Sequence, residues 1–165
     1  MIGIGSLCVS HLQFMKWADD IYFGLPAQFP AGKAEEDTGI SFQSFTGTLQ
    51  HIYKAELLWF RRVQNDLYPK IGDITIPDHV EQWQELWNGL HFAWIRWAET
   101  IEESGWEETV IHRTTSGSEM QLPRWQVIMH LVNHGSYHRG QLASLMRQAG
   151  LRPPSTDLIA FYRTR

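Results

Sequence analysis

Three histidines recur at intervals of four residues near the end of the chain: His130, His134 and His138. In an α-helix this spacing places the side chains one above another on a single face. Two histidines at this interval can bind one metal ion, as in helical zinc sites. The residue after His130 or His134 is leucine or glycine, not glutamate, so the zinc-protease motif and its general base are absent. The pattern predicts a metal-binding helix without protease chemistry.

The apolar residues of the same helix distinguish these histidines. At about 100° per residue, His134 and His138 fall within the apolar arc and His130 lies at its edge. An imidazole among leucines is costly unless both nitrogens have partners. A metal ion on one nitrogen and a hydrogen-bond acceptor on the other would satisfy it. The alternative is a pair of core histidines bonded to carbonyls or waters, and spacing alone leaves both interpretations open. The arc consists of Val127, Leu131, Leu142 and Leu145.

His51 is the candidate third ligand, on a separate helical segment. Its neighbours on the helical wheel include the small residues Gly47, Thr48 and Ala55, which leave room for a ligand. The broad aromatic stripe of the same segment lies elsewhere, so amphipathicity alone turns His51 away from the core. We therefore expect this helix to be buried on two sides, one of them facing the site.

Two charged residues fall within apolar stripes. Glu56 lies in the aromatic stripe of its helix, and Arg139 lies beside Ile128 and Val132. A lone buried charge is expensive, so each needs a partner. We hypothesise that Glu56 and Arg139 pair with each other; the alternative is that both bend away to solvent.

Apolar residues at helical spacing predict four helices. Ser41 is the expected N-cap of the second helix. Asp78 and Glu81 form a capping-box-like pair at the start of the third. Pro123 suits the first position of the fourth, and Gly150 suits its end. The predicted segments span residues 7–25, 41–65, 78–104 and 123–149.

The segment between the third and fourth helices, residues 106–122, is β-prone over 108–112 and turn-prone over 115–118. We expect a short β-hairpin or extended excursion there. The tail, residues 151–165, is too apolar for a free end and is expected to pack along the helices. The fold class is therefore all-α, a four-helix bundle, with residues 1–165 forming one domain.

Composition narrows the possible partners. The net charge is −4, with 14 basic and 18 acidic residues and no run of Lys or Arg, which disfavours nucleic-acid binding. No stretch reaches the ~18 apolar residues of a membrane-spanning helix. Cys8 is the only cysteine, which fits a reducing compartment, so a cytoplasmic location is expected. No basic cluster or second cysteine activates Cys8, and we expect a buried, inert thiol.

With these residues in hand, the chain resembles the DinB-like superfamily (DinB/YfiT-like four-helix bundles). The segment from Asn133 to Gln141 looks like the family's Asn-His-x-x-x-His-Arg-Gly-Gln signature. Residues 17–19, Trp-Ala-Asp, and 49–59, which contain His51 and Glu56, provide further likeness. Residues 157–163 look like the family's closing Asp-x-x-x-Phe-x-Arg. The likeness covers nearly the whole chain.

The resemblance implies a set of ligands and an assembly. The family's metal ligands are one histidine on the second helix and the His-x-x-x-His pair on the fourth, which correspond to His51, His134 and His138. His130 matches a position that is often histidine but is not usually a ligand. The resemblance also implies a homodimer, for which the tryptophans of the third helix would be a reasonable interface.

Three neutral histidine ligands would leave Zn²⁺ or Ni²⁺ with its charge and an open position, able to activate water or bind a thiolate. Relatives in the superfamily transfer or isomerise adducts of bacillithiol and mycothiol. The leading hypothesis is a metal-dependent transferase of a low-molecular-weight thiol (bacillithiol, mycothiol or glutathione type), or a hydrolase using metal-activated water. His130, Tyr137 and Gln141 are the candidates to orient a substrate.

Two alternatives remain open. The metal could be structural, in a non-catalytic stress-response protein, or the site could be empty in a dimeric binding module. A structural site usually has four protein ligands, so the presence of a fourth ligand discriminates. His130, Asp157 and Glu56 are the candidates for it.

Overall fold

The structure, a computed structural model, describes residues 3–66, 69–113 and 117–164. α1 and α2 each pack against α3 and α4, so the expected four-helix arrangement is confirmed. A short fifth helix follows in the tail. The helices are α1 (Ile4–Phe23), α2 (Phe45–Val63), α3 (Val80–Glu99), α4 (Arg124–Gln148) and α5 (Leu158–Tyr162).

All four helix starts differ from the prediction. α1 begins at Ile4 rather than at residue 7, and Pro123 is the N-cap of α4 and the last residue of a strand rather than the first helical residue. Ser44, not Ser41, is the N-cap of α2, and its Oγ accepts a hydrogen bond from the Gly47 N–H at 3.0 Å. The preceding loop folds back on itself, since Gln43 has a φ of 66° and its carbonyl accepts from Thr38. The capping box predicted at Asp78 does not form, because α3 begins at Val80 after His79, which makes no side-chain cap.

The excursion between α3 and α4 is a β-hairpin, as expected. β1 (Thr109–Arg113) pairs antiparallel with β2 (Glu119–Pro123), with Ile111 opposite Gln121. Residues 114–116, within which the predicted turn begins, lie outside the described residues. β1 alternates exposed and buried positions, so His112 faces inward and packs towards α2.

Three of the four tryptophans of α3 lie in the core and the fourth, Trp97, is half-buried, which corrects the expectation that they form an interface. Trp83, Trp87 and Trp94 are only 5%, 2% and 0% exposed. Trp83 and Trp87 stack on each other and contact Phe23 of α1 edge-on. Large aromatic rings fill the wide space between the helices, which accounts for much of the eight-tryptophan content.

The tail packs along the bundle, as predicted. Phe161 of α5 is buried, and its ring centroid lies 5.7 Å from those of both Phe14 and Trp17 of α1. Within the described residues, no helix combines the length and the apolar character needed to cross a membrane.

Candidate metal centre

α2 and α4 bring the three predicted histidines together. Nε2 of His134 lies 3.0 Å from Nε2 of His51 and 3.1 Å from Nε2 of His138. Two nitrogens that bind one zinc ion at about 2.0–2.1 Å in tetrahedral geometry are about 3.3 Å apart, close to these separations. The three residues form a group that could hold a metal ion, and the donor set suits a borderline-soft transition metal.

Burial keeps two of these imidazoles neutral. Burial, and then the neighbouring charge of His138, lowers the pKa of His51 to about 4. The same two causes, followed by His51, lower the pKa of His134 to about 3. Both rings are therefore uncharged at neutral pH, and a neutral ring has one nitrogen with a free lone pair.

Gln141 orients the third ring. Its Oε1 lies 2.8 Å from Nδ1 of His138. An amide oxygen only accepts, so Nδ1 carries the proton and the Nε2 lone pair faces His134. This is the arrangement by which an outer hydrogen bond fixes a histidine ligand. Gln141, predicted as a substrate-orienting residue, holds a ring of the site.

The loop before α2 covers one side of the site with Phe42. Its ring stacks on His51, with centroids 3.7 Å apart and planes 12° apart, and meets His138 edge-on at 5.3 Å. A side chain at Gly47 would collide with the carbonyl oxygen of Phe42. Glycine at this position therefore allows the loop to approach α2 closely enough for Phe42 to reach the histidines.

The other two predicted substrate-orienting residues lie beside the site on α4. Tyr137 is 64% exposed, and its ring lies edge-on to His138 at 5.1 Å. His130 is also exposed, one turn from His134, with ring centroids 5.8 Å apart. His130 meets Trp59 of α2 edge-on rather than joining the ligating group.

None of the three candidates for a fourth ligand joins the three histidines within the part of the chain that the structure describes. His130 lies against Trp59. Asp157 lines a cavity of about 610 Å³ between α1, α4 and the tail, together with Tyr22 and Arg139. Glu56 belongs to a second buried cluster. The converging group thus offers three protein donors.

This second cluster corrects the hypothesis that Glu56 pairs with Arg139. Nη1 of Arg139 donates to Oδ1 of Asp19 at 2.7 Å, and Nε1 of Trp87 donates to Oε2 of Glu56 at 2.7 Å. Nε2 of His91 lies 3.2 Å from Oε2 of Glu56 and 3.4 Å from Oδ2 of Asp19. Both charges are buried, so they do not reach solvent either.

The positive and negative charges of the cluster are close to balanced. Burial and then the charge of Asp19 raise the pKa of Glu56 to about 7. Burial opposes the charged form of His91, but Glu56 and Asp19 together outweigh it and raise the pKa of His91 to about 9. Burial likewise opposes ionised Asp19, but Arg139, His91 and Glu56 together outweigh it and lower the pKa of Asp19. Two cations thus face two carboxyl groups in the core.

Asp19 and His91 escaped sequence analysis as partners of Glu56 and Arg139. Asp19 lies 120 residues from Arg139 in the sequence. No local sequence pattern connects Asp19 or His91 to its partner. The available signal was their placement on the inward faces of α1 and α3, among the buried residues. Phe42 also escaped, because it lies in a loop without periodicity.

A four-helix bundle with a histidine from α2 and a His-x-x-x-His pair from α4 defines the class: bundle proteins whose interhelical histidines could bind a metal. The chain belongs to the DinB family, which it matches over residues 6–165. It is 25% identical to Protein DinB of Bacillus subtilis (strain 168) over 152 residues, 88% of this chain and 87% of that protein. It is also 37% identical to the uncharacterized protein YrdA of the same organism over 49 residues, 30% and 29% of the two chains.

Proposed function

We propose that this protein is a metal-dependent transferase that joins a low-molecular-weight thiol to an electrophile. His51, His134 and His138 would bind the metal, zinc or nickel, as its three protein ligands. The observation that carries the proposal is that three donors converge without a fourth among the described residues, which is the donor number of catalytic rather than structural zinc sites.

When bound, the metal supplies Lewis acidity that lowers the pKa of a thiol or water molecule beside it. In the reaction, the thiol gives its proton to solvent, and its sulfur forms a bond to the electrophilic carbon. The leaving group departs from that carbon with the bonding electron pair. Glutathione, bacillithiol and mycothiol are the types of thiol that the proposal includes.

Side chains of this chain would shape the reacting space. Gln141 keeps the Nε2 lone pair of His138 directed at the site. Phe42 covers His51 and excludes water from that side, while the exposed ring of Tyr137 borders His138 and would contact the substrate. Cys8 takes no part, because it is buried and burial, followed by the charge of Glu103, raises its pKa to about 11.

A hydrolase that uses water in place of the thiol is the second candidate, since the same three-nitrogen group would serve it. The non-catalytic alternative, a structural metal in a stress-response protein, has less support because His130, Asp157 and Glu56 each lie in other surroundings. We further propose a homodimer in the cytoplasm, on the basis of the family likeness and the single buried cysteine.

The proposal is tested by following thiol consumption with glutathione, bacillithiol and mycothiol against a panel of alkyl halides and epoxides. We expect zinc- or nickel-loaded protein to accelerate at least one pair, and His134→Ala to abolish the acceleration. His79→Ala, an exposed histidine outside the site, is the matched control and should retain it. Thiol consumption at the uncatalysed rate for every pair would contradict the transferase, and ester or amide hydrolysis by the same samples would favour the second candidate.

A further inference from the structure

Aromatic and basic side chains continue from the three histidines along the contact between α2, α4 and β1. Trp59 and His112 are buried there, Arg62 is half-buried and His130 is exposed. The ring of Trp59 meets His130 of α4 at 5.3 Å and His112 of β1 at 4.7 Å. The guanidinium carbon of Arg62 lies 4.4 Å from the centroid of the Trp59 ring. We call Trp59, Arg62, His112 and His130 the basic shelf.

The shelf continues the candidate metal centre. α2 and α4 run antiparallel, so that His51 meets His134 and His138, and Trp59 further along α2 meets His130 further back along α4. His130 precedes His134 by four residues, about 6 Å along the helix. A molecule of a few bond lengths could therefore reach from one to the other.

Arg62 is fixed in position by one hydrogen bond and has further N–H donors. Its Nη2 donates to the carbonyl oxygen of Arg113 at 3.1 Å, which fixes the side chain on the Trp59 ring. A guanidinium group that stacks by its face keeps its N–H groups at the edge. Its Nε has no hydrogen-bond partner in the described part of the chain but is itself buried, so a ligand would be bound through the remaining N–H groups of Nη1 and Nη2. The side chain as a whole is half-buried.

Arg62 is the charged group of the basic shelf, because an arginine side chain stays protonated in proteins. The imidazoles of His112 and His130 lie against the Trp59 ring on which Arg62 stacks, and each carries a ring N–H that can donate to an anion. A carboxylate matches the planar N–H fork of an arginine better than other anions of similar size.

We propose that the basic shelf binds a carboxylate group of the substrate, while the substrate's sulfur lies at His51, His134 and His138. This inference rests on the proposed transferase and specifies its thiol: an acidic one, in which a carboxylate lies at least about 6 Å from the sulfur. Thiols of the glutathione type have this character. Arg62 and His130 are then residues that determine specificity.

Mercaptohexanoic acid and mercaptohexanol test the proposal, because they differ only in the group at the far end. Calorimetric titration of zinc-loaded protein at pH 7.5 should show the acid binding about tenfold more tightly, the equivalent of about 1.4 kcal/mol. Arg62→Gln should remove the difference by weakening the acid alone. Arg61→Gln makes the same charge change on the adjacent residue, which points about 100° away around α2, and should keep it.

The outcomes separate the shelf from the proposed function. Equal binding of the acid and the alcohol to the unaltered protein would overturn the shelf and leave the transferase standing. Failure of both thiols to bind zinc-loaded protein would count against the transferase itself. His130→Gln, a change at an exposed position, provides the same comparison should Arg62→Gln fail to fold. A full acid preference in both variants would also overturn the shelf.

Discussion

Nδ1 of His138 and Oε1 of Gln141 lie 2.8 Å apart, less than one turn from each other on α4. This contact fixes which nitrogen of His138 faces the other two histidines. It also explains how Gln141, without contacting a bound metal itself, could influence the affinity of the site for that metal.

Replacing Gln141 with alanine should weaken zinc binding about 10- to 100-fold, because the His138 ring loses the acceptor that fixes its tautomer. Competition with a chromogenic chelator measures the change. Gln148→Ala, at an exposed position near the end of the same helix, is the control and should leave the affinity unchanged. Unaltered zinc affinity in Gln141→Ala would show that the contact has no part in metal binding.

Gly47→Ala should destabilise the protein by about 1–3 kcal/mol, since the new methyl group collides with the carbonyl oxygen of Phe42. The collision should also displace the Phe42 ring from His51. Urea unfolding measures the first effect. Gly89→Ala is the matched control, because nothing lies within 4 Å of the added carbon in α3, and it should be neutral or stabilising by about 0.5–1 kcal/mol. Equal stability changes in the two variants would refute the close approach.

The buried cluster predicts that stability falls as the solution becomes alkaline. His91 has a pKa raised from 6.5 to about 9, so its contribution is complete below pH 6.5 and is lost as pH rises through 9. Glu56, with its pKa raised from 4.5 to about 7, acts in the same direction between those values. The free energy of unfolding should therefore be greater at pH 7.5 than at pH 9, by at least about 1 kcal/mol, roughly one pKa unit. Below about pH 7 the lowered pKa values of His51 and His134 act in the opposite direction.

Urea unfolding of metal-free protein across this range measures the slope, and His91→Gln should flatten its upper part. His79→Gln changes an exposed histidine and should leave the slope intact. Stability that is constant or rises between pH 7.5 and pH 9 would contradict the assigned charges.

The three histidines of the site could be predicted from the sequence on different physical grounds. His134 and His138 share one helix, so their spacing alone places them together. His51 needed the family likeness, because its wheel position was ambiguous. The structure resolves that ambiguity: buried residues flank His51 on both sides, Thr48 and Ala55 near the site and Ile52 in the core.

The errors concern interactions between distant segments. Glu56 and Arg139 were correctly judged to need partners, but a buried charge does not specify which one. Asp19 and His91, which come from α1 and α3, supply charges that no local pattern connects to them. Ser41 and Ser44 are both acceptable N-caps, and the choice depends on how the preceding loop folds against α2.

Metal content is the measurement that bears most directly on the proposed site. Protein purified without a histidine tag, exposed to zinc and freed of excess ion, should contain about one zinc per chain by mass spectrometry. His134→Ala, which removes the nitrogen that lies between the other two, should contain almost none, whereas His79→Ala should keep the full amount. One zinc per chain in His134→Ala and in His138→Ala, or none in the unaltered protein, would contradict a metal centre at these three histidines.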